Sequence, residues 1–335
     1  MQGTRAPAAG RSGPLAPPPP APPGAAAGGR LRALARLAKF EFVLDYYLSA
    51  LVVLTALAPG DRLSADTWLT LALFVLGQVG VVSAVMVFDD INGYRDGSDQ
   101  ANYLGGDGTP LRPLERKPLL TGALTLRQAY AFGYGALAWG AVFWGTAALL
   151  AAHRPFWALA VTGAVLLTSC QYSWGLKFSY RGLGELLIAG CPMALVIAQY
   201  GFTAGHLPAL VLVEATLFGL WQILVSAYSN TKDIDGDRAV GRSTVAVRTS
   251  ETGNRRFIGA LTGADLLLGL GGAALLGWAP WWSVLALLPL AALRIRQYRD
   301  FLRDGDALLA RARGVRAFRT GVAGLLLVNI IHFTV

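Results

Sequence analysis

Two clusters of aspartates carry the clearest chemistry in this sequence. One follows the second long apolar block of the chain and the other follows the sixth. At 100° per residue, Asp89 and Asp96 share one face of a helix, and so do Asp233 and Asp237. Mg²⁺ takes carboxylate oxygens together with substrate phosphates and water. The spacing therefore predicts a site for Mg²⁺ and a diphosphate, provided that the two clusters meet; solvated loop acids are the alternative interpretation.

Basic residues close to these clusters indicate an anionic ligand. Five of them lie in polar segments on the same side of the apolar blocks as the aspartates: Arg116, Lys117, Lys177, Lys232 and Arg242. Their side chains are candidates to bind the non-bridging oxygens of a phosphate. Tyr172 lies near the same end of its apolar block, where the face of its ring could shield a cation. The sequence has no P-loop and no Rossmann glycine pattern, which argues against a nucleotide-driven pump.

The elements that must position these residues are membrane helices. Hydrophobic residues make up 54% of the 335 residues and charged residues only 15%, whereas a soluble domain carries about 25% charged residues. The apolar residues form nine continuous blocks, at about 41–58, 67–88, 126–151, 155–173, 183–203, 208–228, 257–278, 281–293 and 318–335. Continuous blocks do not fit the alternating strands of a membrane barrel. We therefore predict an all-α integral membrane protein with nine transmembrane helices.

The distribution of charge predicts the orientation of these helices. With the N-terminus in the cytoplasm, 27 of the 29 lysines and arginines fall in inner segments, and only Arg62 and Arg154 lie outside. The net charge of +9 is then a consequence of topology, so the expected partner is the lipid bilayer and not nucleic acid. Both aspartate clusters lie on the inner side. This pattern predicts a multi-pass protein of the cell membrane with its active site facing the cytoplasm.

The first residues of the chain differ in composition from the rest. Residues 1–29 are rich in proline, alanine and glycine and contain no apolar run. Such a segment cannot bury enough surface to order itself. We predict a disordered tail over residues 1–29 and a transmembrane domain over residues 30–335.

Several motifs in this domain resemble the UbiA superfamily of intramembrane prenyltransferases. That family has Asp-rich motifs, N-D-x-x-D-x-x-x-D and D-x-x-x-D, and the second is matched at Asp233 and Asp237. The stretch Lys117-Pro118-Leu119-Leu120-Thr121-Gly122 is similar to the family's R-P-L-x-S-G stretch. The run from Tyr172 to Glu185 is similar to the branches that prenylate naphthoates and to chlorophyll synthases. The resemblance implies a nine-helix bundle around a lipid-accessible cavity.

The first acidic motif departs from the family pattern. The family's asparagine falls on Asp89, its first aspartate on Asp90, and its second aspartate on Gly93. Asp96 is a candidate to supply the missing carboxylate, because it shares the face of Asp89, and Asp99 is a further candidate. With Asp96 in that role, Gly93→Asp is expected to be tolerated. The departure favours specialised metabolism over a housekeeping quinone pathway.

The resemblance implies a Mg²⁺-dependent enzyme that ionises an allylic prenyl diphosphate and transfers the prenyl group to an aromatic acceptor. The implied metal-site residues are Asp90, Asp96, Asp99, Asp233 and Asp237. Asp89 would orient a phenolic hydroxyl of the acceptor or take its proton. A terpene cyclase that acts on the prenyl diphosphate alone is the main alternative. A transporter is disfavoured because the ionisable residues cluster at one surface and not at the bilayer midplane.

Overall fold

The protein is built from helices joined by turns and loops over the residues that its computed structural model describes, which are 27–105, 108–271 and 281–332. The α-helices are α1 (Ala27–Leu37), α2 (Phe40–Ala56), α3 (Pro59–Arg62), α4 (Ala65–Asp96), α5 (Ser98–Tyr103), α6 (Leu126–Leu150), α7 (Phe156–Thr168), α8 (Gly184–Ala204), α9 (Ala209–Lys232), α10 (Ile234–Ala239), α11 (Val245–Arg248), α12 (Glu251–Leu266), α13 (Ser283–Asp304) and α14 (Ala307–His332). Short 3₁₀ turns and one π-helical turn, Leu267–Gly271, supplement them. The prediction of an all-α fold is confirmed for these ranges.

Five helices are long and apolar enough to cross a membrane: α4, α6, α8, α9 and α14. Two shorter apolar helical stretches, Asp45–Ala56 and Phe156–Tyr172, coincide with two more of the nine predicted spans. The remaining two predicted spans fall on α12 with the turn after it, and on α13. The number of nine spans and their orientation therefore stay predictions. Residues 1–26 of the predicted tail lie outside the described residues, and α1 begins at Ala27, before the predicted boundary.

The 32-residue helix α4 is held against α6 by close backbone contact at glycines. A Cβ atom built at Gly140 would lie 2.5 Å from Cγ2 of Val81, so only glycine allows this approach. Two tryptophans of α6 add hydrogen bonds across the contact, with Trp144 Nε1 donating to the carbonyl oxygen of Phe74 at 3.0 Å. The rigid pairing fixes the last turns of α4, which carry the first aspartate cluster.

A buried ion pair joins the helices of the C-terminal half. Asp265 of α12 and Arg294 of α13 are 1% and 0% exposed, and their N–O distance is 2.9 Å. Trp221 of α9 donates to the other carboxylate oxygen at 2.7 Å, and Arg294 also donates to Gln297 at 3.0 Å. These contacts connect α9, the helix that leads into the second cluster, to α12 and α13.

Candidate active site

Both aspartate clusters open onto one cavity of about 440 Å³. One end of the cavity is charged and is lined by Lys39, Asp89, Asp99, Arg112, Arg116, Lys117, Asp233, Asp237, Arg242 and Arg311, and Asp45 is a further charged residue of the lining. The rest is largely apolar and is lined by residues that include Val81, Val85, Leu187, Ile188, Val225 and Phe318. A cavity with this division suits a ligand with an anionic head and a hydrocarbon body.

The first cluster lies in the last turns of α4 and is neutralised by lysines. Asp90 is 1% exposed, and its Oδ1 atom lies 2.8 Å from Nζ of Lys117 and 3.0 Å from Nζ of Lys39. The other carboxylate oxygen, Oδ2, is buried with no hydrogen-bond partner in the described structure. Lys117 also contacts Asp99 at 2.6 Å. Burial alone would lower the pKa of Lys117, but the charges of Asp90 and Asp99 outweigh it and raise that pKa above its ordinary value.

The second cluster begins where α9 ends. Asp233 is the C-terminal boundary residue of α9 and contacts Nη2 of Arg112 at 2.5 Å. One turn later, Asp237 is buried in α10 with Nε of Arg242 at 3.8 Å. Burial raises the pKa of Asp237 to about 7; Arg242 opposes this shift and the charge of Asp233 adds to it. Asp235, between them, is fully exposed and lies 3.6 Å from the surface residue Arg238.

Arg242 connects the two clusters. Its Nη2 atom donates to Oδ1 of Asp89 at 3.1 Å, while its Nε atom faces Asp237. Helix α5 reinforces the connection, because the Asn102 side chain packs onto Gly236 of α10, where a Cβ atom would collide with it. The expectation that the two clusters meet over one cavity therefore agrees with the geometry.

Glu185 holds the segment that carries the second cluster. It lies buried in the first turn of α8, and its Oε1 atom accepts the backbone N–H of Val245 at 2.8 Å and the Asn230 amide at 3.2 Å. Because Asn230 precedes Asp233 and Val245 follows Arg242, one carboxylate oxygen fixes both ends of this segment. Glu185 therefore positions the segment that carries Asp233, Asp237 and Arg242.

Three of the predicted site residues lie away from the main cavity. Asp96 accepts hydrogen bonds from the Tyr180 hydroxyl and, at 3.1 Å, from the Asn92 amide. It lines a separate, adjacent cleft together with Lys177. Lys232 is exposed at the end of α9 and does not line the cavity. Asp96 misses the cavity because residues seven apart share an angular position but lie about 10 Å apart along the helix axis.

The other predicted residues are brought together, and three further cations join them. Tyr172 and Arg116 line the main cavity with Lys117 and Arg242, while Asp90 lies directly behind Lys117. Sequence reasoning did not select Lys39, Arg112 or Arg311, which also line the cavity. They are three of 27 basic residues on the predicted inner side, and no motif distinguishes them in the sequence. Among the described residues, no three histidine, cysteine or acidic side chains are close enough to hold a metal ion as they stand.

The fold and site define a helical membrane protein whose largely apolar cavity is charged at one end. The chain matches the UbiA prenyltransferase family over residues 47–322. It therefore belongs to the UbiA prenyltransferase family, and the resemblance inferred from the motifs is confirmed.

One curated relative and two solved structures illustrate the relationship. The chain is 30% identical over 176 residues to 1,4-dihydroxy-2-naphthoate octaprenyltransferase of Escherichia coli (strain K12); the match covers 52% of this chain and 55% of that enzyme. This chain thus matches about half the length of that relative. A UbiA homologue from Aeropyrum pernix K1 superimposes with a TM-score of 0.62 at 17% identity, covering 85% of this chain and 96% of the homologue.

A second homologue, from Archaeoglobus fulgidus, was solved bound to GPP and Mg²⁺. It superimposes with a TM-score of 0.62 at 13% identity, covering 90% of this chain and 100% of the homologue. At such identities the likeness of both structures establishes the fold, and the chemistry has to be argued from the residues of this chain.

Proposed function

We propose that this protein is a Mg²⁺-dependent membrane prenyltransferase that ionises an allylic prenyl diphosphate and transfers the prenyl group to an aromatic acceptor. The observation that carries the proposal is the bridge by Arg242 between the two aspartate clusters at the charged end of an otherwise apolar cavity. The GPP and Mg²⁺ bound to the Archaeoglobus fulgidus homologue support the class of substrate. The similarity to a naphthoate octaprenyltransferase supports an aromatic acceptor.

The residues present fit a magnesium ion. At the charged end of the cavity the acidic side chains offer hard oxygen ligands, and Asp90, behind Lys117, keeps one buried carboxylate oxygen without a partner in the described structure. Asp90, Asp99, Asp233 and Asp237 are the residues that would hold the metal. When bound, Mg²⁺ would neutralise the charge that develops on the departing diphosphate. Asp96 was also predicted as a ligand, but its contacts with Tyr180 and Asn92 direct it to the neighbouring cleft.

Residues of this chain are placed to bind the diphosphate, to hold the isoprenoid tail and to accept a proton. Lys117, Arg112 and Arg242 would bind the phosphate oxygens as the C–O bond of the substrate breaks and its electron pair leaves with the diphosphate. The apolar part of the cavity would hold the isoprenoid tail and exclude water from the allylic cation. An aromatic carbon of the acceptor would then form the new C–C bond. Asp89, at the boundary between charged and apolar surfaces, would receive the ring proton.

The membrane setting is part of the proposal. The charged end of the cavity coincides with the side on which 27 of the 29 lysines and arginines are predicted. With the nine predicted helices in the cell membrane, the positive-inside rule supports an N-terminus and an active site on the cytoplasmic side. The assignment to specialised metabolism depends on Asp89 and Gly93 at the positions where the family has asparagine and aspartate, and it stays a prediction.

A product analysis tests the proposal. Purified full-length protein in detergent is given geranyl, farnesyl or geranylgeranyl diphosphate with Mg²⁺, with and without 1,4-dihydroxy-2-naphthoate, and the products are identified by mass spectrometry. We expect a product that contains both molecules, formed only with acceptor and abolished by EDTA. A cyclic terpene formed from the diphosphate alone would identify a cyclase on the same fold. Turnover that persists in EDTA would contradict the metal role.

A further inference from the structure

A layer of buried polar side chains lies beyond the apolar end of the cavity. This polar layer consists of Ser49 of α2, Gln78 of α4 and Gln199 of α8, each 0% exposed. The Gln199 amide donates to Oγ of Ser49 at 3.1 Å and to Oε1 of Gln78 at 3.2 Å. The Gln78 amide donates in turn to the backbone carbonyl oxygen of Tyr46 at 2.7 Å. These hydrogen bonds fix α2, α4 and α8 to one another at a single depth of the bundle.

The cavity ends one helical turn short of the polar layer on each of these three helices. The lining residues nearest to the layer are Tyr46 of α2, Val81 of α4 and Leu195 of α8. Each lies three or four residues, about one turn, from the member of the layer on its own helix. The members of the layer do not line the cavity themselves. The polar layer is therefore the floor behind the apolar end.

The rise of the helices gives the depth of the apolar part. On α4, Gln78 lies eleven residues before Asp89, which is about 16 Å along the axis. On α14, the lining residue Phe318 lies seven residues after Arg311 of the charged end, which is about 10 Å. An extended isoprene unit spans about 5 Å, because it adds about four carbon–carbon bonds of about 1.5 Å to the chain. The space above the polar layer therefore holds about two to three isoprene units.

An ion pair adds to this limit on the side of α2. Asp45 lines the cavity next to Tyr46 and is 9% exposed. Arg319 of α14 binds both of its carboxylate oxygens, with Nε donating to Oδ1 at 2.8 Å and Nη2 to Oδ2 at 3.3 Å. A hydrocarbon chain that extended past Asp45 would have to separate this pair or strip it of water, and both cost free energy. The pair therefore opposes a longer tail at the same depth as the polar layer.

We propose that the polar layer of Ser49, Gln78 and Gln199 limits the length of the prenyl chain that this protein accepts, so that geranyl and farnesyl diphosphate fit and longer prenyl diphosphates do not. This inference rests on the proposed function and specifies its substrate. Gln199 is the central member, because its amide donates to both of the others. None of the three lines the cavity, so they act on the length of the tail and not on the diphosphate.

Equilibrium binding tests the limit without an acceptor. The S-thiolodiphosphate analogues of geranyl, farnesyl and geranylgeranyl diphosphate are titrated into the full-length protein in detergent with Mg²⁺. We expect the geranylgeranyl analogue to bind at least about tenfold more weakly than the farnesyl analogue. Binding of the geranylgeranyl analogue as tightly as the farnesyl analogue would contradict the inference and leave the proposed function intact. If none of the three analogues binds, the proposed function fails as well.

Variants of Gln199 separate lost volume from lost hydrogen bonds. Gln199→Ala removes about four heavy atoms from the floor, so we expect the preference for farnesyl over geranylgeranyl to fall at least about fivefold. Gln199→Leu keeps the volume, and Gln297→Ala removes an equally buried glutamine from α13, so both should keep the preference within about twofold of wild type. An unchanged preference in Gln199→Ala, or an equal loss in Gln199→Leu, would overturn the inference.

A variant that fills the cavity tests the limit from the other direction. Leu195→Phe adds bulk at the apolar end, so we expect it to weaken binding of the farnesyl analogue at least about fivefold while binding of the geranyl analogue stays within about twofold of wild type. Melting temperatures of all variants report whether the fold is retained. Equal weakening of both analogues by Leu195→Phe in a folded protein would show that the tail does not reach this end, and the inference would be wrong.

Discussion

The aspartates that face the cavity are each matched with a basic side chain. Asp89 contacts Lys39 and Arg242, and Asp233 contacts Arg112. A metal ion that binds these carboxylates must compete with those cations, which then become available to phosphate oxygens. The pairing therefore favours cooperative binding of the metal and the diphosphate, since each releases the partner that the other needs.

Neutralising either Asp233 or Asp237 in the second cluster should stop the reaction. We expect Asp233→Asn and Asp237→Asn each to lower the rate of prenyl transfer more than tenfold, which corresponds to about 1.4 kcal/mol of barrier. Asp235→Asn is the matched control: its side chain is fully exposed, so its rate should stay within about twofold of wild type. Initial rates at saturating Mg²⁺ measure both effects. An equal loss of activity in the Asp235 variant would contradict the assignment of Asp233 and Asp237, but not Asp235, to the active site.

The same substitution at Asp237 should not weaken the fold. Because burial raises the pKa of Asp237 from 3.8 to about 7, its ionised form is disfavoured in the folded protein, and stability is lost as the pH rises from about 4 to about 7. Without metal, Asp237→Asn should therefore melt at a higher temperature than wild type at pH 8, by at least about 2 °C, and gain clearly less at pH 5 than at pH 8. A lower melting temperature at pH 8 would attribute the lost activity to unfolding.

The sequence identified some of these residues and missed others for physical reasons. Asp233 and Asp237 were predictable because a spacing of four residues fixes both their angle and their height on a helix. The spacing of seven between Asp89 and Asp96 fixes only the angle. Lys39 and Arg112 come from remote segments, and only the folded chain shows that they reach the aspartates.

At the scale of the elements, the site depends on where helices stop. The turn at Gly97 reverses the chain after α4, and the end of α9 at Lys232 lets α10 begin at once, so each cluster is divided between two helices. Periodicity along one helix cannot anticipate such breaks. The apolar blocks were predictable because their length and continuity are local properties of the sequence.

The buried pair of Asp265 and Arg294 should stabilise the packing of α9, α12 and α13 only while both partners are present. Arg294→Met leaves the Asp265 carboxylate buried without a counter-charge, and removing one partner of such a pair costs about 3–5 kcal/mol. We expect a fall in melting temperature of at least about 5 °C. The double variant Asp265→Leu/Arg294→Met should recover most of that loss; equal stability of the single and double variants would show that the pair is not coupled.

At the scale of the whole molecule, most charged residues are predicted to lie on one side of the apolar helices. Residues of both aspartate clusters line the cavity, and Arg238 and Arg242 lie beside the second cluster in the sequence. Five helices satisfy the length and hydropathy of a membrane span on their own, while other predicted spans are shorter or more polar. The orientation therefore depends on the basic residues as a set and not on any single helix.

Cysteine labelling tests this orientation directly. In a background with Cys170→Ala and Cys191→Ala, Leu63→Cys places a thiol at a position that is 86% exposed and predicted to be outside, and Arg238→Cys places one at an exposed inner position. In spheroplasts, a membrane-impermeant maleimide should label Leu63→Cys at once but Arg238→Cys only after permeabilisation, because the 27 inner basic residues oppose transfer of that end. The reverse pattern would place the N-terminus and the active site outside. Labelling of both positions before permeabilisation would mean that they do not lie on opposite sides of the membrane.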